Sequence, residues 1–150
     1  MPARSPQPHA IFDTMARDCI ATQARELSRV VTRIYDKALR PVGVRPTQLA
    51  VLVAAGKMGV ARPAVVCRVL KLDASTLSRT VDRLVTNGWL QIVQDADARA
   101  QPFRLTASGR RLVEKAIPAW RRAQDQITTL LGEQGVRALA AACAGATTKE

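Results

Sequence analysis

The chain of 150 residues is short of histidine, aromatics and acidic residues, and each shortage closes off a class of function. Its single histidine, His9, stands in a Pro-rich opening stretch, and no Ser-His-Asp, HExxH, P-loop or paired-carboxylate pattern is present. No catalytic residue, metal site or cofactor is therefore expected, and the chain does not read as an enzyme. Five aromatics (Phe12, Tyr35, Trp89, Phe103 and Trp120) are too few and too scattered to build the stacking platforms of single-strand or RNA-recognition sheets. Three cysteines without CxxC spacing exclude a zinc ribbon and a closed set of intrachain disulfides, which leaves free thiols. No apolar run approaches the roughly 18 residues of a membrane span. The opening MPARSPQPHA lacks the apolar core of a secretory signal and reads as a disordered leader over residues 1–10. A cytoplasmic protein is expected.

What is abundant is positive charge. Twenty-three Lys+Arg against 12 Asp+Glu give a formal charge of +11 and a pI of about 11.0, a balance suited to a polyanion. From Arg40 to Arg111 there are twelve basic residues and four acidic ones, so this middle section supplies +8 of the +11. With aromatics scarce, double-stranded DNA is the polyanion that fits best.

Hydrophobic periodicity predicts one long helix from Ile11 to Leu39, with Ile20, Ala24, Leu27, Val31, Ile34 and Ala38 on one stripe and Pro41 and Gly43 ending it. A second helix is predicted from near Thr47 to before Gly59, and a third from Arg62 to Leu70. Asp73 is a good N-cap for a fourth, which ends at Asn87-Gly88. On that helix Leu77, Val81, Leu84 and Val85 share one arc, and Ser75, Thr76, Arg79, Arg83 and Thr86 take the other side. The alternation in WLQIVQ, the polar loop DADARAQ and the run PFRL predict a β-hairpin. Thr106 then caps a helical region expected to break near Pro118, and a last helix runs from Glu133 to about Ala144 with Cys143 on its packing stripe.

Three helices followed by a hairpin form the layout of a winged helix-turn-helix, in which the last helix enters the DNA major groove and the hairpin follows the backbone or minor groove. Ser75 and Thr76 could donate to phosphates or base edges, with Ser78 and Arg62 alongside. Arg79 and Arg83 have the reach for paired hydrogen bonds to guanine, and Arg99, in the loop with Asp97, for the minor groove.

The sequence resembles the multiple antibiotic resistance regulator (MarR) family from about Cys19 to Ala144. The resemblance rests on VTRIYDKALRPVGVRPTQLAVL, on LDASTLSRTVDRLVTNGWL and on DADARAQPFRLTASGRRLVEKAIPAW, with Asp97, Arg99 and Leu105-Thr106 at the family's spacing. Ala74 and Ala98 stand where many members carry a basic residue. The resemblance implies a mainly α fold with a small β-hairpin wing. Residues 11–150 would form a single domain, with the winged helix-turn-helix over about 41–106 and dimerisation helices at 11–40 and 107–145. It implies a nucleoid-associated homodimer that binds a palindromic operator, usually as a repressor. It also implies modulation by a small aromatic or acidic ligand, for which Tyr35, Gln48 and Trp120 are the candidate pocket residues. Peroxide-sensing members carry a reactive cysteine early in the first helix. Alignment on Tyr35 and Gln48 puts that position at Ala21, two residues after Cys19. An oxidant-sensing repressor using Cys19 and a non-specific architectural DNA-binding protein are the alternative readings.

Overall fold

In the computed structural model, which describes residues 8–95 and 100–147, the elements follow in the order α1 (Pro8–Asp18), α2 (Ile20–Leu39), a 3₁₀ turn (Arg40–Val42), α3 (Pro46–Met58), α4 (Pro63–Leu70), α5 (Ala74–Thr86), β1 (Leu90–Ile92), β2 (Phe103–Leu105) and α6 (Ala107–Thr147). The fold is thus mainly α with a small antiparallel hairpin. No described helix is long and apolar enough to cross a membrane.

Three boundaries differ from the sequence reading. Residues 8–10, expected in the leader, already belong to α1. The single helix expected from Ile11 to Leu39 is broken at Cys19, whose backbone is extended (φ −71°, ψ 105°). Neither Gly nor Pro marks this break. Its polar cost is met by Gln23, whose Nε2 donates to the Arg17 carbonyl at 2.8 Å and so satisfies one of the acceptors left at the end of α1. Conversely, α6 keeps helical dihedrals through Pro118, and its non-helical residue is Gly132 (φ 69°, ψ 162°). Pro118 and Glu114 are both exposed, so water can reach the Glu114 carbonyl that loses its partner.

The core forms around α3, which is apolar almost all round because it is covered on most sides: Leu49, Val51, Leu52, Ala54 and Ala55 are all buried. Leu39 of α2, Val66 of α4, Leu77 and Leu84 of α5, Leu90 of β1 and Phe103 of β2 close on it. The hairpin pairs Leu90 with Leu105, Gln91 with Arg104 and Ile92 with Phe103. It does not lean on side chains alone. The Ala61 amide donates to the Phe103 carbonyl at 2.8 Å and the Phe103 amide to the Ala61 carbonyl at 3.0 Å, so the α3–α4 connection supplies a third backbone edge.

Thr106 is the junction between wing and last helix. Its hydroxyl donates to the Gly88 carbonyl at 2.7 Å and accepts from the Gly109 amide at 3.0 Å, which is the expected N-cap of α6. Its own amide donates to the Trp89 carbonyl at 3.1 Å, fixing the first turn of α6 to the start of β1.

Candidate nucleic-acid interface

α4 and α5 are joined by Lys71, Leu72 and Asp73, with Lys71 in the left-handed region (φ 52°) closing α4. α5 then stands on Leu77, Val81 and Leu84, all buried, while Val85 packs at the margin of the core. Ser75, Ser78, Arg79, Arg83 and Thr86 are exposed and Thr76 is half-buried. The expected division of α5 into an apolar anchor and a polar outer face holds.

The first turn of that face is arranged differently from the expectation. Asp73 caps α5 by accepting the Thr76 amide at 2.8 Å, and it also accepts the hydroxyls of Ser75 and Thr76, each at 2.6 Å. A hydroxyl has one proton. With those protons on Asp73, Ser75 and Thr76 present lone pairs rather than donors, so a phosphate contact requires them to leave the carboxylate. The same three bonds, Ser75 first, hold the Asp73 carboxyl well below the usual carboxylate range. A folded value below the unfolded one adds stability in full above about pH 4, the unfolded value, and loses it as pH falls toward the folded value. Asp73→Asn should therefore lower stability near neutrality, with the two proteins converging in acid. Denaturation midpoints between pH 3 and 7 check this; a constant gap across that range would contradict it.

Arg79 lies back along its helix, with Nε donating to the Ser75 carbonyl at 3.3 Å. Arg83 makes no side-chain hydrogen bond or ion pair among the described residues. Arg62 is placed otherwise: it precedes α4, and its Nη2 lies 2.9 Å from Asp95 Oδ2, so it fastens the head of α4 to the root of the wing. Asp97 and Arg99 lie outside the described residues. Sequence reading missed Arg104, exposed on β2; with the Gln91 amide oxygen turned toward it, Arg104 Nε and Nη2 both donate at 2.8 Å. The signal was present, since Gln91 and Arg104 face each other once the hairpin register is set by Leu90 and Phe103.

Of the three pocket candidates, the structure brings two together. Tyr35 and Trp120 line a cavity of about 450 Å³ between α2, α3 and α6. Gln48 is not part of its wall. It is the third residue of α3, and its Oε1 reaches back to accept the Arg45 amide at 2.9 Å, which satisfies the N-cap N–H. The residue missed was Gln124, one turn beyond Trp120, whose Oε1 accepts the Tyr35 hydroxyl at 2.7 Å. Burial pushes the Tyr35 phenol above its ordinary value, so it stays neutral.

The cysteines separate. Cys67 is half-buried against the core. Cys143 is exposed, not buried on a packing stripe within the chain. Cys19 occupies the α1–α2 break, and the Thr22 hydroxyl holds its thiol below its ordinary value. Arg17, two residues before Cys19, is paired with Asp18 at 3.0 Å.

With this geometry in place, comparison with known proteins is direct. The MarR family model matches residues 42–100, the span from the 3₁₀ turn to the wing. Over that span the chain is similar to the MarR family. Among MarR relatives, the multiple antibiotic resistance protein MarR of Salmonella typhimurium is 30% identical over 84 residues, which are 55% of this chain and 58% of that protein. A mutant of Escherichia coli MarR, solved in complex with operator DNA, superposes with a TM-score of 0.78 at 21% identity over 89% of this chain and 96% of that one. The transcriptional regulator MOSR of M. tuberculosis, solved in complex with DNA, superposes at 0.74 with 29% identity over 87% of this chain and 97% of that one. The MarR likeness thus extends beyond the matched segment to α2 and α6.

Proposed function

We propose that the chain is a MarR-family regulator, a sequence-specific double-stranded DNA-binding transcriptional repressor that acts in the cytoplasm, at the nucleoid, as a homodimer on a palindromic operator. The observation that carries the reading is α5: three buried anchors aim an outer face bearing Ser75, Thr76, Ser78, Arg79 and Arg83 away from the core. In this reading Asp97 and Arg99 belong to the wing, and Arg62 holds it. Residues 41–106 form the DNA-reading part. Dimerisation falls to residues 11–40 and 107–145, where Ile11, Phe12, Met15, Ile20, Leu130 and Leu139 leave apolar surface uncovered. The E. coli MarR mutant with operator DNA and MOSR with DNA support the choice of ligand.

Incubating the full chain with random duplexes and sequencing the retained fraction tests this. The expected result is a two-fold symmetric site with half-sites about one helical turn apart, bound at least about 10³-fold more tightly than random DNA at physiological salt. Light scattering should give twice the chain mass. Equal affinity for the recovered and random duplexes would leave only the architectural reading. Placing the site over a promoter and measuring transcription separates repression from activation.

The effector is a small molecule held in the cavity between α2, α3 and α6. A second reading, an oxidant-sensing repressor, draws on the Thr22 contact to Cys19. If it holds, peroxide releases the protein from its site and Cys19→Ser stays bound; release of both proteins alike excludes it.

A further inference from the structure

The cavity is walled by Tyr35 and Leu39 from α2, Leu49 and Val53 from α3, and Ile117 and Trp120 from α6. At about 450 Å³ it lies within the roughly 300–1,000 Å³ range of small-molecule sites. None of its lining residues among those described carries a charge. The polar groups at its wall are the Tyr35 phenol and the Trp120 indole. The phenol proton is committed to Gln124 Oε1 at 2.7 Å, which leaves the Tyr35 oxygen to serve only as an acceptor. The indole N–H is a neutral donor.

A carboxylate entering such a space gives up part of its water against apolar walls without gaining a counter-ion, and an unpaired charge is the costliest group to desolvate even in part. A neutral ring bears no such cost, and a donor on it finds the Tyr35 oxygen. We infer that the cavity takes an uncharged aromatic ligand carrying a hydrogen-bond donor and discriminates against the aromatic acids that the family resemblance suggests. This rests on the effector reading above. Because α3 belongs to the DNA-reading part and α2 and α6 to the dimerisation part, the occupant sets the spacing between them.

Benzamide and benzoate are close to isosteric and differ in charge, which makes them the probes. Calorimetric titration of the full chain at pH 7.5 should give benzamide at least tenfold tighter binding than benzoate. Val53 lines the cavity and is 49% exposed, so Val53→Trp should abolish benzamide binding by filling the cavity, and Val53→Arg should shift preference toward benzoate. Equal or tighter binding of benzoate to the unmodified chain overturns the ligand class while leaving an effector site standing. Benzamide binding that survives Val53→Trp overturns the assignment to this cavity, and saturable binding of neither compound overturns it together with the effector reading. Benzamide bound as expected without any change in affinity for the selected duplex would sink the effector reading alone.

Discussion

Gly109→Ala is expected to destabilise the protein by about 1–3 kcal/mol, the cost of forcing extra atoms into a packed site. At an open helix position the same change adds up to about 1 kcal/mol of stability, so the sign itself is the test. A Cβ on Gly109 would run into the Trp89 carbonyl oxygen and lie 2.8 Å from Leu105 Cδ1. Neither neighbour can retreat cheaply. The Trp89 carbonyl already accepts the Thr106 amide, and Leu105 is held in register opposite Leu90. Gly145→Ala, in the same helix with open space around it, is the control and should hold or raise stability. Chemical denaturation measures both; an unchanged midpoint for Gly109→Ala would mean that α6 and β1 do not approach this closely in solution.

Arg79→Ala should lower the ratio of affinities for the selected and random duplexes by about 1–3 kcal/mol, the range for losing one bidentate base contact. Arg79 leaves little behind, since its contact within the chain is one long bond to the Ser75 carbonyl on its own helix, and the fold should be untouched. Arg99→Ala should weaken binding to both duplexes alike, as loss of a sequence-independent contact does. Parallel losses on both DNAs for Arg79→Ala would favour an architectural protein over a regulator.

How much of this was legible in the sequence depends on the range of the interactions. The α5 helix was read in full because each of its determinants is local: Asp73 as cap, Leu77, Val81 and Leu84 at helical spacing, and Gly88 with φ 71° as the stop. The Cys19 break was not, because Gln23 replaces the lost backbone partner with a side chain, and periodicity registers only Gly and Pro as interruptions. Pro118 misled in the opposite sense; a proline interrupts a helix less where water can reach the freed carbonyl. Gln48 was misassigned although its cue was local, a Gln at the third position of a helix whose first residue is Pro46. Arg62 with Asp95 and Tyr35 with Gln124 join residues 33 and 89 positions apart, which no spacing rule reaches.

The Thr106 junction has a mechanical consequence. Its bonds to Gly88 and Trp89 clamp the first turn of α6 to the root of β1, and Val113, the first cavity residue of α6, lies only two turns further along the same rod. The wing root and that wall of the cavity are therefore two stations on one stiff lever whose fulcrum is the packed first turn. A tilt imposed at Val113 or Trp120 is transmitted to the hairpin without any intervening loop to absorb it.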